Sequence, residues 1–146
     1  MGKVAIIVGS ESDREVMGEC VQQLEDMKIS MMYPEITVAS AHRDPDGVDE
    51  FIRKVTGFHA DGSKVKVIIA AAGMSAALPG MVASKTDLPV IGVPMKSDLM
   101  GFDSLLSISQ MPSGVPVATM SIGTHGAINA AIFAKRILEL CDHELK

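Results

Sequence analysis

His42 and Arg43, in the run Ser40-Ala41-His42-Arg43-Asp44-Pro45, are the pair in this chain best suited to chemistry on an anionic substrate. An imidazole titrates near neutral pH and can take or give a proton. A guanidinium grips phosphate through a planar fork of donors. Alone, a His-Arg pair in a loop is more often a structural or surface feature than a catalytic one. A second run, Gly9-Ser10-Glu11-Ser12-Asp13, joins a glycine that admits close backbone approach to two serine hydroxyls and a carboxylate. It reads as a phosphate or ribose contact, or as an ordinary helix cap. A third, Ala70-Ala71-Ala72-Gly73-Met74-Ser75-Ala76-Ala77-Leu78-Pro79-Gly80-Met81, offers small side chains that admit a flat ligand or a tightly packed helix. None of these is a GxGxxG or GxxxxGK[ST] signature, so neither dinucleotide nor nucleoside-triphosphate binding is indicated. The other histidines, His59, His125 and His143, have no metal-ligand spacing with another His, Cys or carboxylate, and no metal is expected.

These residues gain meaning from the elements that must carry them. Lys3 to Gly9 is a short apolar run of the kind buried on both faces of a parallel sheet. After it, Val16, Cys20, Val21, Leu24 and Met27 recur at helical spacing. Ile29 to Ser40 holds a second strand, best formed at 36–39, and Asp44-Pro45 opens a second helix with Val48, Phe51, Ile52 and Val55 inward. Residues 65–71 make a third strand, 73–80 a loop, and 81–86 a helical turn or two. Residues 89–94 give a fourth strand, 103–110 a short helix, 116–122 a fifth strand, and 126–141 a last helix with Ala127, Ala130, Ala131, Ala134, Ile137 and Leu138 inward. Alternating buried strands and helices predict a parallel α/β sheet with helices on both faces. In such sheets ligands bind beyond the carboxyl ends of the strands. The three chemistry-bearing runs come directly after the first three strands, where that rule expects a site.

Composition narrows the function classes. The chain has 146 residues, 47% hydrophobic and 21% charged, which predicts one domain over 1–146. A net charge of −5 opposes general affinity for nucleic acid or anionic membranes, and aromatics at 3% leave few stacking platforms for single strands. Cys20 and Cys141 form no CxxC, which fits free thiols in a reducing compartment. With no signal-peptide layout and no spanning apolar run, a soluble cytoplasmic protein is expected.

In order along nearly the whole chain, Gly-Ser-x-Ser-Asp, Ser-Ala-His-Arg-x-Pro, Leu-Pro-Gly-Met, Pro-Val-Ile-Gly-Val-Pro, Asp-Ser-Leu-Leu-Ser-Ile-x-Gln-Met-Pro and Gly-Val-Pro-Val-Ala-Thr resemble the PurE family of purine biosynthesis. The resemblance implies a flavodoxin-like three-layer α/β/α sandwich with a five-stranded parallel sheet, assembled as a homo-octamer. It implies a small-molecule ribonucleotide substrate, no cofactor, and functional coupling to an ATP-dependent carboxyaminoimidazole ribonucleotide synthase. By position, His42 matches the family's general acid/base. Ser10, Asp13 and Arg43 match its phosphate and ribose contacts, and Ser40, Gly73 and Leu78 line its imidazole pocket. Two branches are implied: carboxyaminoimidazole ribonucleotide mutases, and carboxylases that use carbon dioxide directly. The carboxylase branch typically has lysine after the histidine and lacks Leu-Pro-Gly, so Arg43 and Leu78-Pro79-Gly80 favour the mutase branch. Ala77 stands where mutases usually have histidine, and 73–76 departs from their Gly-Gly-Ala-Ala. A non-catalytic nucleotide-binding module on the same fold is the alternative of another class. The Ala-rich face of the last helix and the apolar Gln110-Met111-Pro112 loop are the features expected to meet another copy.

Overall fold

The computed structural model describes residues 2–57 and 59–143. Five strands, β1 (Lys3–Val8), β2 (Thr37–Val38), β3 (Val65–Ala72), β4 (Val90–Pro94) and β5 (Ala118–Thr119), form one sheet in the order β2-β1-β3-β4-β5. Every pairing is parallel. The helices are α1 (Arg14–Asp26), α2 (Pro45–Thr56), α3 (Leu78–Ala83), α4 (Phe102–Ser109) and α5 (Thr124–His143), with a 3-10 turn over Glu11–Asp13 leading into α1. This is the flavodoxin-like α/β/α sandwich expected, and the strand order reverses direction between β1 and β3.

Strand residues alternate between two cores because successive side chains point to opposite faces. Val4, Ile6, Val8, Val67, Ile69 and Val93 pack with α1 and α5. Ala5, Ile7, Ile68, Ala70 and Val90 pack with α2, α3 and α4. The apolar runs read as central strands are therefore filled from both sides, and β1, β3 and β4 are buried almost throughout.

The edges are shorter than expected. Of 29–40, only Thr37–Val38 forms β2, although Met31 bridges to Val4. Pro34 lacks an N–H for the ladder, and an edge strand has one neighbour to reward its extension. Of 116–122, only Ala118–Thr119 pairs with β4. Helix α3 begins at Leu78, inside the expected loop, because Leu78 is buried and Pro79 suits a first turn. The Ala-rich face of α5 points inward as expected, and this corrects the further expectation that it meets another copy. Ala127, Ala130, Ala131 and Ala134 are fully buried within the chain, in one core with Met17, Cys20 and Leu24 of α1, so they are not available to another copy. No helix among the described residues is long and apolar enough to cross a membrane.

Candidate active site

The sheet register sets the geometry. Val8 pairs with Val38 and with Ala71, and Ala72 pairs with Pro94, so β1 to β4 end close to one row. The segments that leave these strand ends are thereby brought together around a cleft of about 430 Å³. Its walls include Ser10 and Asp13 after β1, Ser40, His42 and Arg43 after β2, and Gly73 and Leu78 after β3. All seven residues singled out in the sequence meet there.

The segment after β1 does two jobs. Ser10 Oγ accepts a hydrogen bond from the Ser12 N–H at 3.3 Å, and Asp13 Oδ2 accepts one from the Ser10 N–H at 3.1 Å. This reciprocal capping box fixes the entry to α1. The capping alternative thus holds, and the cap itself forms one wall of the cleft. Burial raises the Asp13 carboxyl from its ordinary value, and the Ser10 N–H pulls it back in part. A carboxylate there suits a ribose diol, which donates hydrogen bonds.

The segment after β2 is a compact turn. The Arg43 N–H donates to Ser40 Oγ at 3.2 Å, and the Asp44 N–H donates to the Ser40 carbonyl at 2.8 Å. Asp44 Oδ1 accepts from the Gly47 N–H at 3.0 Å, capping α2, with Pro45 in its first turn. Gly47 lacks the Cβ that would collide with this cap. Ser40 therefore shapes the turn that presents His42 and Arg43, both exposed where they line the cleft.

The segment after β3 is the floor. Gly73 lies against Met95, which a Cβ at this position would meet at 3.4 Å, the edge of ordinary contact. Leu78 is buried beneath the cleft, while Ala77 faces it and is exposed. Met74 holds a φ of 56°, in the left-handed region that glycine favours, and its side chain stands exposed at the mouth.

Sequence reasoning missed Lys96 and Ser97, which come after β4 and complete the fourth side. The rule that placed the other three runs could have found them, because they too lie just past a strand's carboxyl end. Their segment is firmly tied. The Met95 N–H donates to the Ala72 carbonyl at 2.9 Å, and the buried Ser104 hydroxyl donates to the Met95 carbonyl at 2.7 Å. Among the described residues no group of three or more His, Cys, Asp or Glu could hold a metal ion.

A larger groove of about 760 Å³ runs along residues 83–91 and 114–118 beside Phe133 and Ile137. It borders the β5 edge of the sheet and holds no histidine. Its walls mix Ser84, Lys85, Thr86 and Asp87 with apolar residues such as Phe133 and Ile137.

Comparison with known proteins bears on the family and the fold. The sequence model of a family described as AIR carboxylase matches residues 3–146. An N5-carboxyaminoimidazole ribonucleotide mutase of Bacillus subtilis is 50% identical over 143 residues, covering 97% of this chain and 83% of the relative. The protein of the same name from Thermotoga maritima is 52% identical over 139 residues, covering 94% and 75%. The crystal structure of Treponema denticola PurE superposes with a TM-score of 0.80 at 30% identity, covering 96% of this chain and 82% of that one. With a family match over almost every residue, and relatives at this identity, the chain belongs to the AIR carboxylase family.

Proposed function

We propose that this protein is an N5-carboxyaminoimidazole ribonucleotide mutase of purine biosynthesis, an isomerase that moves a carboxyl group from the exocyclic amine to ring carbon four. The observation that carries this reading is the convergence of His42, Arg43, Ser10, Asp13 and the small-residue floor on one cleft at the reversal of strand order. The names of the relatives support the mutase branch.

In the reaction so read, Arg43 and Ser10 hold the phosphate, Asp13 accepts from the ribose hydroxyls, and the imidazole lies over Gly73 against Ser40 and Leu78. The carbamate C–N bond breaks, its electron pair and a proton stay with the amine, and carbon dioxide is released into the cleft. Carbon four then attacks carbon dioxide, and the new C–C bond leaves an extra proton on that carbon. His42 takes this proton and supplies the one the amine needs, so the sum is an isomerisation without a cofactor. The cleft retains a neutral gas beside an electron-rich ring, which turns a bimolecular recapture into an internal one.

A second reading, the direct carboxylation of aminoimidazole ribonucleotide, is favoured by one feature: Ala77 on the cleft wall. Two assays separate the readings. Turnover of the carbamate without added bicarbonate is expected. Efficient turnover only with aminoimidazole ribonucleotide plus bicarbonate would replace the mutase reading by the carboxylase one. Inactivity in both would favour a non-catalytic nucleotide-binding module.

A homo-oligomer, an octamer by the family resemblance, is proposed with this function. Leu99, Met100, Phe102 and Leu106 are each more than half exposed around the start of α4, beside the segment that carries Lys96. Such a cluster of large apolar side chains suits contact with another copy. An unstable carbamate further favours coupling to the ATP-dependent synthase that makes it.

A further inference from the structure

We propose that Lys96 determines specificity by pairing with the carboxylate of the nucleotide, while Arg43 pairs with its phosphate. The assignment rests on the mutase reading and extends it to a residue outside the matched site motifs.

Arg43 lies after β2 and Lys96 after β4, with β1 and β3 between them. Three interstrand steps of about 4.8 Å place these strand ends about 14 Å apart. The cleft is therefore bracketed by cations at opposite ends, with Asp13 the one carboxylate among its lining residues. A ribonucleotide carries its phosphate and its base at opposite ends of the ribose. Once the phosphate lies at the Arg43 and Ser10 end, the base and its carboxylate extend over Gly73 toward Lys96.

Three further observations fit this role. Neither the Lys96 ammonium nor the Arg43 guanidinium has a hydrogen-bonding or ionic partner among the described residues, so both are free for a ligand. The backbone beneath Lys96 is held by Ala72, Ser104 and the Ser97–Asp103 contact at 3.4 Å, so the base of this flexible side chain is fixed. On a chain of net charge −5, a trianionic ligand needs local positive potential at both of its ends.

Calorimetric titration with two nucleotides that differ only in the ring carboxylate tests the assignment: 4-carboxy-5-aminoimidazole ribonucleotide and 5-aminoimidazole ribonucleotide. Lys96→Gln is expected to weaken the carboxylated nucleotide about five- to tenfold, as for one lost charge-assisted contact at a partly exposed site. It should leave the other nucleotide unchanged within twofold, and Lys96→Arg should restore most of the difference. Arg43→Gln, by contrast, should weaken both nucleotides alike. Equal losses for both nucleotides in Lys96→Gln, or no loss for either, would overturn the assignment and leave the mutase reading standing. Wild-type protein that binds neither nucleotide would overturn the mutase reading, and this assignment with it.

Discussion

The chemistry of the cleft is concentrated in a few side chains whose surroundings differ sharply. His42 is exposed on a turn that Ser40 and Asp44 hold in shape, so replacing its ring should disturb little else. His42→Asn is expected to lower kcat by about 10²–10⁴, the usual worth of a positioned acid/base, with nucleotide affinity retained. An unchanged kcat in steady-state assays would remove the proton-transfer role. The two thiols give a second contrast at this scale. Burial pushes Cys20 up to about 12 from an ordinary 9, whereas Cys141 is exposed. Below pH 9 Cys20 carries its proton in folded and unfolded chains alike. Above it the unfolded chain releases that proton first, so stability falls as pH rises from about 9 toward 12. Denaturant midpoints across that range should decline in the wild type and less in Cys20→Ala compared with its own neutral-pH value. A thiol reagent at pH 8 should modify one cysteine in the native protein and two after unfolding.

At the scale of elements, helix starts determine where the proposed catalytic groups are held. Asp44 caps α2 from the same turn that presents His42 and Arg43. Asp44→Ala is expected to cost about 1 kcal/mol in denaturant unfolding and to lower kcat/KM as well, because one residue serves both the helix and the turn. A stability loss with unaltered kinetics would show that the turn holds without its cap. The start of α5 is stricter. A Cβ on Gly126 would collide with the Ser121 carbonyl, a backbone atom that cannot turn aside. Gly126→Ala should therefore cost about 3 kcal/mol, read as a lowered urea midpoint. Periodicity located these helices well, since it reports which residues need burial. It set the start of α3 too late and extended both edge strands too far. A strand's length depends on the ladder beside it, and β2 and β5 each have a neighbour on one side only.

For the whole molecule, the exposed apolar cluster around α4 is what motivates the proposed assembly. Phe102→Asp combined with Leu106→Asp should shift the sedimentation profile toward monomer while circular dichroism stays native, because both side chains already face solvent. A wild type that sediments as monomer at micromolar concentration would contradict the proposal of a homo-oligomer. The sequence by itself determined the sandwich, since its buried runs alternate with amphipathic segments and that pattern has few solutions. It also determined which residue types gather after β1, β2 and β3. Only the tertiary structure decided that the alanines of α5 are spent on α1 and the sheet rather than on another copy. Only it decided that Lys96, from a fourth strand, faces the same cleft as Arg43. Hydrophobic periodicity states that a face is buried and not against what. The neighbours of a strand end are set by sheet order and register, which join residues far apart in the chain.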